Sequence, residues 1–396
     1  VERAELVELL SPEGLRLLDS LPPYESAADV VRTVSLLRKQ GHPAGLVATV
    51  LTQSKLRAKA VAKFGPFASR MLFTEAGLEQ ATRLQVAARH AARYARAGLT
   101  RVADLGCGVG GDAMAMAALD LEVTAVEADE VTAAIASYNL APFPNAGVVN
   151  AKAEDIDLAG MDAVYLDPAR RTSGHGNTRR LADPSDWSPS LDFAFGLAST
   201  LPVGVKLGPG VDRELLPEDA ETQWVSVDGQ VVEAGVWTGA LARDGIRRAA
   251  LVVHGDSAHE LTGSADADDE PAGDLGEFLY EPDGAVIRAR LIGDLARGLG
   301  ARMLRHDIAY LTADTHLATP FAAAFRVLDE LPYKESDLRK ALAQRGIGTL
   351  EIKKRGADVD PAALRKRLQL KGEASGTLVL TRIGSRHVAL LVERLG

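Results

Sequence analysis

The stretch Val102-Ala103-Asp104-Leu105-Gly106-Cys107-Gly108-Val109-Gly110-Gly111-Asp112 restricts what this chain can become more than any other. Its apolar start predicts a buried strand, and the glycines predict a turn whose backbone something approaches closely. The run from Ala113 to Leu119 predicts a helix directly behind it. Strand, glycine loop and helix in that order aim unpaired backbone N–H groups at one spot, where the polar part of a nucleotide-like ligand binds.

The surroundings of the loop agree with that geometry. From Thr100 the chain alternates strands and helices, as a parallel α/β sheet does, with strands expected at 101–104, 122–127, 147–151, 163–167 and 203–207. Segments at 223–227, 231–238 and 247–254, with a turn at Gly229, predict an antiparallel hairpin at one sheet edge. Residues 1–97 read as helices throughout. Ser11-Pro12-Glu13 is a helix start, Ser26 can open the next helix, 44–63 continues the pattern, and 78–97 predicts one long helix closed by Gly98.

Beyond the core the composition shifts. No Lys or Arg occurs between Arg248 and Arg288, while residues 256–283 supply ten acids, so 256–277 reads as an acidic linker or loop. It lacks the glycine and glutamate register of a calcium loop. A second α/β pattern fills 278–396, with a helix over 285–298, a strand in 322–328, a helix capped by Ser336, a strand at 348–354, a helix over 361–370 and a terminal hairpin of 377–383 with 387–393. The organisation is thus a helical region 1–97, a ligand-binding core 98–255, the acidic segment 256–277 and a basic domain 278–396.

Charge and cysteine content narrow the partners. The net −9 is unevenly spread: residues 334–396 hold 14 Lys/Arg against 7 Asp/Glu, a net +7, which leaves −16 on the rest. A basic tail on an acidic body fits a nucleic-acid footprint, with an ordinary solvated face as the plain alternative. Cys107 is the only cysteine, so a disulfide framework and a cysteine metal cluster are excluded. No apolar run approaches membrane length, and we expect a cytoplasmic protein with no metal and no membrane partner.

The loop by itself fits two ligands. Gly106, Gly108 and Gly111 satisfy G-x-G-x-x-G, and Glu127 lies 21 residues after Gly106, where a ribose-binding acid belongs. Asp104 separates the two readings. A carboxylate two residues before the first glycine repels a pyrophosphate and attracts an ammonium group beside a carboxylate, as in the methionine end of S-adenosylmethionine.

Asp104 to Asp112 resembles motif I of the class I S-adenosylmethionine-dependent methyltransferases. The resemblance implies a Rossmann-like α/β sheet, with Asp104, Gly106, Gly108, Gly110 and Asp112 at the cofactor and Glu127 on its ribose hydroxyls. The family's adenine position falls on Ala151-Lys152-Ala153-Glu154-Asp155, where Lys152 replaces the usual aspartate and recognition passes to the Ala153 backbone, Glu154 or Asp155. Thr74 and Gln80 stand where base methyltransferases cover the methionine end, while a helix cap explains Thr74 as well.

Tyr165-Leu166-Asp167-Pro168-Ala169-Arg170-Arg171 ends the fourth strand and resembles the Asp-Pro-Pro-aromatic motif of enzymes that methylate exocyclic amines. Asp167, Pro168 and Arg170 are therefore the candidate catalytic residues, with Ala169 for the second proline and Arg170 for the aromatic. Arg171, Arg179 and Arg180 follow on a polar loop suited to phosphates. Lys206 is unusual in so apolar a strand, and is either a paired buried lysine or a substrate contact. Methylation of a pyrimidine C5 is disfavoured, because it needs a cysteine nucleophile and the sole cysteine sits in the cofactor loop.

The segments 325–333, 350–356 and 378–382 resemble a THUMP-like domain, which implies RNA as partner and Lys353, Lys354 and Arg355 as phosphate contacts. The expected protein is an RNA methyltransferase acting on nitrogen. The alternatives are methylation of a small molecule or protein, a cofactor-binding adaptor without catalysis and, last, a nicotinamide dehydrogenase.

Overall fold

The first helices form where the sequence places its caps. In the computed structural model, which describes residues 3–22, 24, 27–168 and 187–395, α1 (Arg3–Leu9) precedes α2 (Pro12–Ser20). Ser11 caps α2 by accepting the Gly14 N–H at 3.1 Å. Helices α3 (Ala27–Lys39) and α4 (Ala44–Phe64) follow. Ser26, Ala169, Arg170, Arg171, Arg179 and Arg180 lie outside the described residues.

The single helix expected over 78–97 is two, α5 (Glu75–Gln80) and α6 (Leu84–Arg96). The cause is tertiary. Lys63 of α4 donates its ammonium to the carbonyls of Leu78, Glu79 and Ala81 at 2.9, 2.7 and 2.6 Å. It thereby takes acceptors that a continuous helix uses for its next turn.

The chain divides into two units, residues 1–206 with 237–241 and residues 207–236 with 242–396. The division falls inside the stretch that reads from sequence as one core. In the first unit, β1 (Arg101–Leu105), α7 (Gly111–Ala117), β2 (Glu122–Glu127), α8 (Glu130–Leu140), β3 (Ala146–Asn150), β4 (Ala163–Leu166), α9 (Leu191–Gly196) and β5 (Val203–Leu207) alternate as expected. The strands run in the order β3-β2-β1-β4-β5, each parallel to its neighbour. The order reverses between β1 and β4, and such a switch point opens a crevice at the carboxyl ends of the strands.

The N-terminal helices share their core with this sheet. One apolar cluster runs from Leu6 and Leu9 through Phe64 and Phe73 to Val109, Tyr165 and Trp237. Helix α6 buries Val86, Ala87, His90, Ala91 and Tyr94 on one face, and the Tyr94 hydroxyl donates to the Val164 carbonyl at 2.8 Å. Two buried amides tie down the extended segment 71–73. Gln53 of α4 holds both backbone groups of Phe73 at 2.7 and 3.0 Å. Asn139 of α8 accepts from the Leu72 N–H at 2.8 Å and donates to the carbonyls of Leu72 and Val109 at 3.0 and 2.9 Å.

In the second unit, β6 (Glu221–Val227) and β7 (Gln230–Trp237) are neighbours joined at Asp228-Gly229. The expected edge differs in detail: β8 (Arg248–His254) pairs with β6 in parallel, and its antiparallel partner is β9 (Ser257–Gly263). Residues 257–263, expected in an acidic linker, are therefore part of the sheet. The pairing supplies ladder bonds, and Arg243 bridges Glu221 and Glu260 of β9.

A seven-stranded sheet follows, built from β10 (Phe278–Pro282), β11 (Arg302–Arg305), β12 (Ile308–Ala313), β13 (Ala322–Leu331), β14 (Ile347–Lys354), β15 (Ala374–Ile383) and β16 (Arg386–Arg394) in the order β11-β12-β10-β13-β16-β15-β14. The helix expected over 285–298 breaks into α10 (Gly284–Arg288) and α11 (Ile292–Leu299) at Arg290, whose φ is 59°. Helix α12 (Glu335–Gln344) starts one residue before Ser336, with Lys334 at the cap position, and α13 (Pro361–Leu368) connects the parallel pair β14 and β15.

Candidate active site

The register Leu105↔Leu166 sets the glycine loop beside Asp167-Pro168 at the ends of β1 and β4. At Gly106, with φ 88°, a Cβ would stand 3.3 Å from the Asp167 carbonyl oxygen. The loop is held from β2: the Gly106 and Cys107 N–H groups both donate to the Val126 carbonyl, at 2.8 and 3.0 Å. Glu127 accepts from Gly108 N–H at 3.1 Å and from Asp129 N–H at 2.9 Å. Burial raises its carboxyl above the usual range against those bonds.

Gly110 caps α7 in the left-handed conformation at φ 85°, with the Leu140 Cγ 3.3 Å from where a Cβ would be. Gly110→Ala is expected to cost about 1–2 kcal/mol of stability from backbone strain. Denaturant unfolding checks this, and an unchanged midpoint would show that the turn tolerates a side chain.

Asp104 is only 1% exposed, and both its carboxylate oxygens are buried without a hydrogen-bond partner among the described residues. Burial, with Asp112 and Asp167 nearby, holds its carboxyl well above the ordinary range, against the opposing pull of Lys206. A buried, unpaired carboxylate is costly by itself and suits an incoming cation. The residues present thus fit the ammonium end of S-adenosylmethionine.

Asp112 has a different partner from the one expected. Its Oδ1 lies 2.9 Å from His90 Nδ1, which is also 3.2 Å from the Tyr165 hydroxyl. Burial pushes the Asp112 carboxyl up, but His90, Lys206 and a bond from Thr82 prevail and leave it below its usual value. The carboxylate is thereby engaged by His90 of α6.

Asp167, the expected catalytic acid, has a side chain 28% exposed, and that of Lys206 beside it is 9% exposed. Lys206 donates to the Asp167 carboxylate, to Thr82 Oγ1 at 3.0 Å and to the Gln80 carbonyl at 3.3 Å. Lys206 is thus buried and paired with Asp167. Pro168, next in sequence to Asp167, is buried.

The pre-core residues do structural work. Thr74 caps α5 by accepting the Gly77 N–H at 2.9 Å, and Gln80 contributes its carbonyl to Lys206 while remaining exposed. Ala153 is buried and Glu154 exposed in one short turn, Ala153–Asp155, after β3. Burial raises the Cys107 thiol well above its usual value, which leaves it a poor nucleophile. Among the described residues no group of His, Cys, Asp or Glu is arranged to hold a metal.

In the basic domain the three expected contacts separate. Lys353 is paired with Glu281 at 2.8 Å, and the Arg355 guanidinium lies over the Tyr310 ring at 5.6 Å. Lys354 is exposed, as are Lys366 and Lys371. Sequence reasoning passed over His90, Lys63 and Asn139. His90 carried a readable signal, since it sits on the apolar stripe of α6 together with Val86, Ala87 and Tyr94.

A doubly wound sheet, a glycine loop, an acid ending β2 and an unpaired carboxylate ending β1 together define a nucleotide-type cofactor site. Two proteins of Mycobacterium tuberculosis, from strains CDC 1551 / Oshkosh and ATCC 25618 / H37Rv, are each 35% identical to this chain over 351 residues, 86% of it and 94% of them. Both are named as uncharacterized S-adenosylmethionine-dependent methyltransferases. This chain belongs to the S-adenosylmethionine-dependent methyltransferases, and S-adenosylmethionine is its cofactor.

A family model described as THUMP domain-like matches residues 322–394, and one described only as a domain of unknown function matches residues 2–60. The fold is shared along its whole length with a crystal structure from Porphyromonas gingivalis W83, described as a candidate methyltransferase. The TM-score is 0.74 at 19% identity, with 100% of each chain covered. The expected class I sheet and THUMP-like domain are thus both present. No helix among the described residues is long and apolar enough to cross a membrane.

Proposed function

We propose that the enzyme methylates a nitrogen of a structured cytoplasmic RNA, a tRNA or rRNA. The observation that carries this reading is the Asp167 carboxylate, partly exposed beside the glycine loop and held by Lys206 on its inner side. An anionic acceptor in that place orients an N–H group and favours the proton leaving it. The cofactor, when bound, supplies an electrophilic methyl group. The nitrogen lone pair forms the new N–C bond, the methyl–sulfur bond breaks, and the nitrogen's proton passes to Asp167 or to water.

The other assignments follow the same geometry. Asp104 takes the cofactor's ammonium, Glu127 its ribose hydroxyls, Gly106 and Gly108 allow its close approach, and Ala153 with Glu154 borders its adenine. Arg170, Arg171, Arg179 and Arg180 belong to the same reading by their place in the sequence after Asp167. RNA is supported by the net +7 of residues 334–396 and by the THUMP-like match. In that domain the exposed Lys354, Lys366 and Lys371 are better phosphate contacts than Lys353, which is already paired.

Transfer of labelled methyl groups to unmodified bulk RNA tests the reading. Neutralising Lys354, Lys366 and Lys371 to Gln is expected to weaken RNA binding and to lower the slope of log affinity against log salt by about 1 per lysine. RNA that accepts no methyl groups, or binding indifferent to salt, would reject RNA in favour of a small-molecule or protein acceptor.

A further inference from the structure

Two lysines from different elements meet at one turn, and neither is explained by cofactor or RNA binding. Lys63 of α4 takes the carbonyls of Leu78, Glu79 and Ala81, and Lys206 of β5 takes the Gln80 carbonyl and the Thr82 hydroxyl. Lys206 also donates to the Asp167 carboxylate. Its ammonium donates to these three acceptors, so its charge is directed at Asp167, whose side chain is 28% exposed.

We infer that Lys206 is a positioning residue for methyl transfer, seated by Thr82 and the Gln80 carbonyl so that it orients Asp167 and keeps it ionised toward the acceptor. The inference rests on Asp167 being the acceptor-side carboxylate. It removes Lys206 from the substrate contacts, because its donors are already engaged. It also ties the acceptor side to the turn between α5 and α6, so the helical region bears on the reaction as well as on stability.

The electrostatics are consistent with this arrangement. Around the pair stand Lys63, Arg83 and Glu79 of the helical region, with Asp104 of β1 and Asp112 of α7; Glu127 of β2 acts in turn on Asp104, and His90 of α6 on Asp112. Burial, then Lys206 and Arg83, lowers the Lys63 ammonium to about 8. Lys206 sets a positive charge directly on the Asp167 carboxylate, with the acids Asp104 and Asp112 nearby. Removing an opposite charge at this range raises a carboxyl pKa by about 1–3 units.

The experiment compares wild type with Lys206→Met, Lys206→Arg and Thr82→Val. The first readout is a carbon-13 titration of aspartate carboxyls, with Asp167→Asn identifying the resonance, and it requires no acceptor. The Asp167 titration is expected to move up by about 1–3 pH units in Lys206→Met. It should move less, in the same direction, in Thr82→Val, and return toward wild type in Lys206→Arg. The second readout is methyl transfer to unmodified bulk RNA across pH.

On that second readout the acid limb of kcat should move up with the titration. At the wild-type optimum, kcat should fall about 10²-fold from misplacement of the carboxylate, with the KM for RNA little changed. An unmoved Asp167 titration overturns the inference whatever the activity. So does a raised KM for RNA with unchanged kcat and pH profile, which would mark Lys206 as a substrate contact. If the titration moves and wild type transfers nothing to RNA, Lys206 still positions Asp167 and the RNA reading falls. Thr82→Val leaves both lysines in place and decides the matter if Lys206→Met does not fold.

Discussion

Asp167→Asn is expected to lower kcat by about 10²–10⁴-fold, the range for loss of a proton-accepting group, while S-adenosylhomocysteine binds within about threefold of wild type. Asparagine keeps the shape of the side chain but carries no charge, so it orients an N–H group weakly and does not take its proton. The substitution also leaves Lys206, whose side chain is 9% exposed, without its carboxylate. A buried cation deprived of its partner is destabilising, so the melting temperature should fall as well. Cofactor affinity by calorimetry on the same preparation separates the two effects. Turnover within a few-fold of wild type would remove Asp167 from the reaction.

Asp104→Asn should act on the cofactor instead. A hydrogen bond to a charged group contributes about 1.5–3 kcal/mol, so S-adenosylhomocysteine affinity should fall about 10- to 150-fold. The pH dependence gives a sharper signature. Burial raises the Asp104 carboxyl well above its unfolded value, so between the two values folding takes up a proton. The contribution of this group to stability is therefore present at low pH and is lost as pH rises through the folded value.

The ligand's ammonium prefers the ionised carboxylate, so affinity should strengthen over the same window and binding should release a proton. Calorimetry in two buffers of different ionisation enthalpy reads that proton directly. Asp104→Asn should abolish the release and leave the free protein at least as stable near neutral pH. Proton release that persists in the variant would place the titrating group elsewhere, with Glu127 the next candidate.

What was legible in the sequence was whatever its own periodicity or capping chemistry encodes. The five parallel strands, the Ser11 cap and the glycine loop are local matters, and each was found within a residue or two of its place. Distant side chains decided the rest. The helix over 78–97 is divided by Lys63, and nothing between residues 78 and 97 announces that. Asp112 reads as a loop acid until α6 brings His90 against it. Residues 257–263 are acidic enough to read as linker, and only the pairing of β8 with β9 makes them strand. Lys353 illustrates the same point for charge: its sequence neighbours are basic, yet its partner is Glu281 on another strand.

Gln53 and Asn139 have a consequence for how such an enzyme can evolve. The segment they grip has α4 on one side and the glycine loop on the other, so the first sixty residues are scaffolding of the catalytic fold rather than a detachable module. Gene rearrangement can replace a module that brings its own core, and the sheet of β10 to β16 has one. The opening helices do not, because Leu9, Phe64 and Phe73 belong to the same apolar cluster as Val109 and Tyr165. In this lineage the C-terminal sheet, with a core of its own, is open to exchange, whereas the head must be inherited together with the cofactor site.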